Sequence, residues 1–334
     1  MHGPAREFDT RPLVPDDLQR VIEIDSQYTG RRREGFYRTR LQAAQAEPAN
    51  FVYLGCEEEG VLQGFLLARL QEGEYGTSNR YASMDAISVD PAMAARGMGR
   101  SLLHALDEIL RHKNIDTIYS QADWHNFPML KFFGGCGFSL AARHILERAA
   151  TNLPDFEYVN DLIEESAQLG DANDYSDPQG DQRGTLARDL ILCRSMRKSD
   201  LDAIVKIDHR TTGRDHRPYY EQKMAELLGV SGIRVSLVAE QDDHVVGFVM
   251  ARVDFGEFDR IEPVAVLDSI AVDPGFAHHL VGTALLSQLL ANLWSLQIEH
   301  VRSETDAEHF DVLQFLQRNG FSISQRLAFA RQVA

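Results

Sequence analysis

The chain has 334 residues, of which 44% are hydrophobic and 25% are charged, a composition typical of an ordinary globular protein. Domains commonly contain about 100–200 residues, so this length predicts two of them. The formal net charge of −16 argues against nucleic acids and anionic membranes as partners, because both bind through clustered lysine and arginine.

No apolar run reaches the roughly 18 residues that a membrane span needs, and the N-terminal MHGPAREFDT lacks the apolar core of a signal peptide. Cys56, Cys136 and Cys193 are widely spaced and form no CxxC pair, which predicts reduced thiols. We therefore expect a cytoplasmic protein. Five histidines fit no familiar zinc spacing, so no metal site is expected; they are His209, His216, His278, His279 and His309.

The chain contains an internal repeat. The segment DAISVDP at 85–91 recurs as DSIAVDP at 268–274, and the same offset of 183 residues relates Asp25 to Asp208. One constant offset over most of each half means that no net insertion separates these positions, which chance does not produce. We therefore predict two copies of one domain.

The predicted domains span residues 7–148 and 190–331, and residues 149–189 form the linker between them. The linker is acidic, and its stretch 170–184 has no apolar periodicity, as expected for a solvated segment. Apolar residues near 156–163 predict one short helix before that stretch. Nine carboxylates lie between Arg148 and Arg183: Asp155, Glu157, Asp161, Glu164, Glu165, Asp171, Asp174, Asp177 and Asp181.

The elements of the first copy mix helical and strand periodicities, which predicts an α/β (α+β) fold with a sheet flanked by helices. In chain order they are a helix at 18–24, a polar break at Thr29–Gly30, a helix at 36–46, strands at 51–55, 61–70 and 81–89, a helix at 101–111, a strand at 115–121, a helix at 127–133 and a last strand at 141–147.

The segment from Val89 to Leu103 combines a strand end, a turn with Gly97 and Gly99, and the start of an apolar-periodic helix. Free N–H groups at a helix start, with glycines that allow close approach, form a phosphate site. The alternative is a simple tight turn. Arg96 and Arg100 flank the turn in an acidic chain, which favours an anionic ligand.

This segment resembles the acetyl-CoA signature of the GNAT N-acetyltransferase superfamily, usually written Q/R-x-x-G-x-G/A. Residues 126–138 are similar in outline to its second motif, N-x-x-A-x-x-F-Y-x-x-x-G-F. Because both motifs occur in order in both halves, the whole chain resembles a tandem GNAT protein. The resemblance implies mixed, mostly antiparallel sheets, acetyl-CoA as cofactor, and acetyl transfer to an amine of a small molecule or peptide.

Both copies depart from the family pattern. In the first, Ala94 stands at the Q/R position and Phe133 at the position of a tyrosine that is thought to protonate the leaving thiolate. In the second, Leu280 replaces the first glycine, and only Gly282 is kept. We expect Leu280 to crowd a pyrophosphate and to change the turn. We therefore expect the first half to bind acetyl-CoA and the second half not to.

The resemblance assigns cofactor binding to the strand before the turn, to the turn and helix start, and to the second motif. The backbone of the strand pairs with the pantetheine arm, and the amides of the turn bind the pyrophosphate. The residues are Ile87, Ser88 and Val89; Ala94, Ala95, Arg96, Gly97, Met98, Gly99, Arg100 and Ser101; and Asn126 and Phe133.

Asp85 is the first candidate for the base that deprotonates the acceptor amine, because it lies on the strand just before the acyl site. The alternative is a structural carboxylate paired with Arg69. Weaker candidates are His125, which stands beside Asp123, and Tyr119.

Arg31 and Tyr37 are the candidates for acceptor binding, since the segment between the first two helices covers the acceptor site in this family. Arginine suits a carboxylate or phosphate on the substrate. The alternative is a structural role, which is favoured because both residues recur in the second half, as Arg214 and Tyr220.

The leading function is an N-acetyltransferase active in the first domain, with the second domain as scaffold in an intramolecular pseudo-dimer. The alternative is a non-catalytic acyl-CoA-binding or regulatory module, which Ala94 and Phe133 support. A third possibility, a purely structural interaction protein, predicts no cofactor binding.

Overall fold

A computed structural model describes residues 8–71, 80–150, 191–225, 227, 233–254, 256 and 262–333. The predicted helix near 156–163 and the predicted solvated stretch 170–184 lie outside these residues. None of the described helices is long and apolar enough to cross a membrane.

The first half contains four helices and seven strands within its described residues. The helices are α1 (Leu18–Thr29), α2 (Glu34–Ala46), α3 (Met98–His112) and α4 (Phe127–Gly135). The strands are β1 (Asp9–Pro12), β2 (Phe51–Glu58), β3 (Val61–Gln71), β4 (Tyr81–Val89), β5 (Thr117–Asp123), β6 (Ser139–Leu140) and β7 (Arg143–Ala149).

The described part of the second half repeats this order. Its helices are α5 (Leu201–Thr212), α6 (Arg217–Ala225), α7 (Val281–Ser295) and α8 (Phe310–Arg318). Its strands are β8 (Leu192–Ser195), β9 (Leu237–Gln241), β10 (His244–Asp254), β11 (Val264–Val272), β12 (His300–Asp306), β13 (Ser322–Ile323) and β14 (Arg326–Gln332).

Two seven-stranded sheets form the centre of the molecule. Their strand orders are β1-β2-β3-β4-β5-β14-β6 and β13-β7-β12-β11-β10-β9-β8. Neighbouring strands are antiparallel except β4 with β5 and β11 with β12, which are parallel. The predicted fold class, with mixed and mostly antiparallel sheets, is confirmed. The predicted strand at 81–89 is β4, whereas the sequence does not predict β1.

The two halves exchange their last strands. β14 inserts between β5 and β6 of the first sheet, in a register that runs from Arg326 opposite Asp123 to Gln332 opposite Thr117. β7 pairs in the same way with β12 of the second sheet. The last strand expected at 141–147 is β7, which belongs to the second sheet, whereas the short β6 that precedes it stays in the first sheet and is not predicted. Each sheet is thus built from both predicted domains.

The exchanged strands also complete the hydrophobic cores. α3 and α4 pack on one face of the first sheet, where Phe329 of β14 contacts the ring of Phe133 with centroids 5.0 Å apart. Leu146 of β7 is buried in the matching core of the second sheet, under α7 and α8. α1 and α2 cover the opposite face of the first sheet. Removing either strand would therefore open a core as well as a sheet.

A buried ion pair fixes β14 against the first half. Both nitrogens of the Arg331 fork donate to the carboxylate of Asp107 on α3, at 2.9 and 2.5 Å. Asp107 is almost fully buried. Loss of one partner would leave a charge buried without compensation, which is costly. The last strand of the chain therefore supports the helix that follows the glycine turn.

We predict that cleavage of the backbone between Ala150 and Ile191 does not separate the halves, because each holds a strand of the other sheet. A protease site placed there tests this, with size-exclusion chromatography under native conditions and a denaturing gel. One native particle containing both fragments is expected. Two native particles, each with one fragment, would contradict the exchange.

Candidate functional site

β4 and β5 separate from each other within the first sheet. Their pairing consists of Ala82 with Ile118 and Ser83 with Tyr119. Beyond this point β4 stays paired with β3, whereas no described strand pairs with its other edge. The open edge exposes backbone groups that a ligand can pair with. The predicted pantetheine strand, Ile87 to Val89, lies in this open part.

A β-bulge in β4 places Asp85 at the start of the separation. Leu67 faces Ala86 and Ala68 faces Met84, so that Asp85 is the extra residue. Its two carboxylate oxygens accept hydrogen bonds from Arg69 at 2.6 and 2.8 Å, and its exposed fraction is 1%. This is the structural alternative considered for Asp85. Its role as base remains a prediction that this geometry does not favour.

Asp90 shapes the turn that follows β4. It accepts hydrogen bonds from the Ala92 N–H at 2.9 Å and from Arg20 at 2.7 Å. Burial alone would raise the pKa of Asp90, but these bonds outweigh it and lower the pKa. The carboxylate is therefore ionised at neutral pH and holds the turn against α1. Ala95 and Gly97 then take left-handed backbone conformations, with φ of 62° and 106°.

The start of α3 can receive an anion. No side chain caps it, and its first backbone bonds run from Arg100 and Ser101 to the Gly97 carbonyl. The N–H groups of Met98 and Gly99 therefore have no acceptor within the helix. Such groups, with the positive end of the helix dipole, form a phosphate site.

The second motif supports this turn from behind. A Cβ on Gly99 would lie 2.9 Å from the ring of Phe132 on α4, which explains the glycine. Arg100 donates to the Gly135 carbonyl at 3.2 Å. Asn126 caps α4 by accepting from the Met129 N–H at 3.2 Å. α4 is thus packed directly on the helix start.

Phe133 lies in the core and is only 1% exposed. Its ring packs between Phe138 and Phe329. The structure thus shows Asn126 as a helix cap and Phe133 as a core residue. The prediction that both bind the cofactor remains a prediction.

The second half keeps the turn although its glycine is lost. Asp273 accepts from the Gly275 N–H at 3.0 Å, as Asp90 does from Ala92. Leu280 occupies the place of Gly97 with φ of 60°. The prediction that Leu280 changes the turn is therefore wrong. Left-handed leucine is strained by about 1–2 kcal/mol. The difference between the halves is therefore the leucine side chain at the helix start.

Tyr28 contacts the end of β4, which the sequence does not predict. Its hydroxyl donates to the Val89 carbonyl at 2.6 Å, at the end of β4. Burial first, and then the charge of Asp90, raise the pKa of Tyr28. Thr211 occupies the corresponding place in the second half. This difference between the copies is the one sequence signal that singles out the residue.

The remaining catalytic candidates lie at opposite ends of the strand separation. Tyr119 is half-buried on β5 where the separation begins, and the Arg143 guanidinium lies 4.8 Å from its ring centre. Burial, then Asp306 and Glu304, raise the pKa of Tyr119. His125 lies beyond the end of β5, exposed, with Nδ1 3.0 Å from Asp123.

Arg31 and Tyr37, the two candidates for acceptor binding, lie in different environments. Arg31 is exposed between α1 and α2, whereas Tyr37 has no exposed surface. Arg33 donates to the Tyr37 hydroxyl at 3.0 Å and also pairs with Asp25. Burial favours the structural alternative for Tyr37, because a ligand cannot reach it in this structure.

The fold and the site define a class of protein with a separated strand pair, a glycine turn and an open helix start. The model of the acetyltransferase (GNAT) family matches residues 18–138 and 201–321. The chain belongs to this family and carries two copies of its domain. The family uses acetyl-CoA or another acyl-CoA, and the fold supports N-acetyl transfer to an amine as the general activity.

Solved structures are similar along almost the whole chain. A GCN5-related N-acetyltransferase from Sphaerobacter thermophilus is 14% identical with a TM-score of 0.57, covering 98% of this chain and 96% of its own. A tandem GNAT protein from the clavulanic acid biosynthesis pathway is 14% identical with a TM-score of 0.59, covering 98% and 99%. At 14% identity, the similarity to these structures shows a shared fold alone. Among curated proteins, no sequence matches significantly.

We predict that Asp85→Asn lowers the free energy of unfolding by about 3–5 kcal/mol, because it removes the negative charge that accepts two hydrogen bonds from the buried Arg69 guanidinium. Urea unfolding measures the effect. The double variant Arg69→Met with Asp85→Leu should recover most of the loss. Unchanged stability would instead identify Asp85 as the base if the pH–rate profile also lost the pKa below which the rate falls.

Phe133→Tyr tests the position of the family's tyrosine. We predict a loss of about 1–3 kcal/mol in unfolding free energy, since a hydroxyl enters a packed aromatic core. No acceleration of CoA release is expected. Unchanged stability with faster release would show that this position faces the reacting sulfur.

Proposed function

We propose that the chain is an N-acetyltransferase that uses acetyl-CoA in its first half and acetylates an amine of a small molecule or peptide. The observation that carries this proposal is the helix start at Gly97, which has no side chain at that position, whereas Leu280 stands at the same position in the second half. The family supports the reaction type. The choice of half is our inference from this asymmetry, and the choice of acetyl as the acyl group follows the family.

The residues of the first half fit acetyl-CoA. The N–H groups of Met98 and Gly99 would hold the pyrophosphate, and the open edge of β4 from Ile87 to Val89 would pair with the pantetheine amides. When bound, acetyl-CoA would supply a thioester. The acceptor ammonium gives up one proton, a C–N bond forms to the resulting amine while the C–S bond breaks, and the products are the amide, CoA thiol and that one proton.

The chain's own groups have two tasks in this reaction. Backbone N–H groups on the open edge of β4 stabilise negative charge that develops on the thioester oxygen. Tyr119 lies near the start of the separation, and its hydroxyl carries a proton at neutral pH as any tyrosine does; burial, then Asp306 and Glu304, raise its pKa further. We assign it to donation toward the departing sulfur, the task that Phe133 cannot perform.

The second candidate function is a sensor that binds acyl-CoA without turnover. It is favoured by two observations, the ion pair that holds Asp85 and the burial of Phe133. Both remove familiar catalytic groups from the site. A sensor requires only the helix start and the open strand, because these two features bind the acyl-CoA.

Release of CoA thiol during incubation with acetyl-CoA and a panel of amines tests the proposal. The panel includes polyamines, aminoglycosides, amino acids and peptide N-termini. Release above background with at least one amine is expected. Binding of acetyl-CoA with no release for any amine would favour the sensor, and no binding would remove both candidates.

We predict that Gly97→Leu weakens acetyl-CoA binding at least about tenfold, because the side chain fills the approach to the helix start. Leu280→Gly is the matched control and should leave the affinity of the first site unchanged. Calorimetric titration measures both affinities. Equal affinities of the wild type and Gly97→Leu would contradict the location of the site.

A further inference from the structure

A glycine of the second half is buried against the start of α2 in the first half. Gly256 lies two residues after β10, and its carbonyl accepts a hydrogen bond from the guanidinium of Arg33, the residue just before α2. A Cβ on Gly256 would lie only 2.9 Å from the Cγ atom of Phe36 on α2. This close approach explains the glycine. The start of α2 therefore rests directly on the second half.

Gly256 is itself held by the two sheets. Its N–H donates to one carboxylate oxygen of the buried Asp254 at 3.1 Å. The other oxygen of Asp254 accepts from Arg302 of β12 at 3.2 Å. Arg302 also donates to the side chain of Gln121 on β5 at 3.2 Å. A continuous series of polar contacts thus connects β5 and β12 with the start of α2.

Arg33 joins this series to both covering helices of the first half. Its Nε donates to Asp25 of α1 at 2.8 Å, and its fork donates to the Tyr37 hydroxyl of α2 at 3.0 Å. Arg33 and Tyr37 are both buried. In such surroundings hydrogen bonds are stronger than in water. One guanidinium therefore fixes α1 and α2 to each other and to the second half.

The second half lacks this connection. At the places of the aspartate, the arginine and the tyrosine it has Asp208, His216 and Tyr220. Nδ1 of His216 lies 2.6 Å from Asp208, and the Tyr220 hydroxyl donates to the same carboxylate at 3.0 Å. Nε2 of His216 is buried, and within the part of the chain that the structure describes no group hydrogen-bonds to it. The contact with the other half is thus a property of the first copy.

Helix α2 passes over the point where β4 and β5 separate. Phe36 and Tyr37 share a buried cluster with Ala86 of β4. One turn after Phe36, Arg40 lies 4.0 Å from the carboxylate of Asp85, the bulge residue at the start of the separation. The helix start that would hold the pyrophosphate lies on the other face of the sheet, with α3. The face under α1 and α2 is therefore left for the acceptor amine.

We propose, on the basis of the proposed function, that Gly256 of the second half is a positioning residue for the acceptor of the first half. It holds the start of α2 through Arg33 and Phe36, and α2 in turn shapes the side from which the amine approaches. A displacement of about 1 Å far from the reacting atoms can cost about a hundredfold in rate. The second half thereby acts on the acceptor through α2, separately from its support of α3 through β14.

Gly256→Ala tests the proposal with the amine that the panel identifies. Its Cβ displaces Phe36, so we expect KM for the amine to rise about three- to tenfold, the usual effect of losing one hydrogen-bonded contact. KM for acetyl-CoA should stay within about twofold. Gly35→Ala is the matched control, since it adds the same methyl group to α2 where a Cβ has no neighbour within 4 Å. It should leave both KM values unchanged.

Two kinetic results with Gly256→Ala would overturn the proposal. The first is an unchanged KM for the amine, or a rise that KM for acetyl-CoA shares. The second is a fall in kcat alone, because this marks a loss of folded protein rather than a change at the acceptor side.

Arg33→His tests the same connection from the first half. The second copy shows that histidine fits between a buried aspartate and a tyrosine, so the variant should fold, which urea unfolding checks. We expect the same rise in KM for the amine, and no further rise when Gly256→Ala is added, because both changes break one contact. Additive effects of the two changes would overturn the shared route.

Hydrogen–deuterium exchange separates failure of this inference from failure of the proposed function. Faster exchange across α2 is expected in Gly256→Ala and Arg33→His, but not in Gly35→Ala, with acetyl-CoA binding unchanged. This result supports positioning of α2 by the second half even if no amine releases CoA, in which case the proposed function alone fails. Unchanged exchange in both variants overturns the inference even if some amine is acetylated.

Discussion

The exchange of last strands is the constraint on which the rest of the structure depends. β14 pairs with β5 along its length, and its Phe329 and Arg331 pack behind α4 and α3. These two helices carry the glycine turn and its support. The second half therefore takes part in building the first site whether or not it binds a cofactor. This explains why a copy without the turn glycine keeps the complete fold.

Asp85 and Asp268 are the extra residues of matching β-bulges in β4 and β11. A bulge turns a charged side chain inward, where burial of an unpaired charge would be prohibitive. Asp85 and Arg69 resolve this with a closed pair, which is a structural solution. Asp268 is instead approached by Lys223 and Arg252, each at 3.4 Å, beside a cavity. The second half has lost the glycine of the turn, not the turn itself.

The sequence predicts the features that depend on local pattern. The repeat, β4 and the helix after the glycine turn are all found, because turn chemistry and apolar periodicity determine them. The exchange is not predictable in this way, since the alternation from Arg143 to Ala149 is compatible with pairing in either sheet. Burial of Tyr37 and Phe133 also depends on packing between distant segments. Motif spacing alone carries no information about which way a ring points.

We propose that one half is a working site and that the other half supports it. The number of acetyl-CoA molecules bound by one intact chain, measured by calorimetric titration, tests this most directly. We expect one. Two would show that Leu280 is tolerated at the helix start, and none would show that the open strand and helix start of the first half do not form a cofactor site.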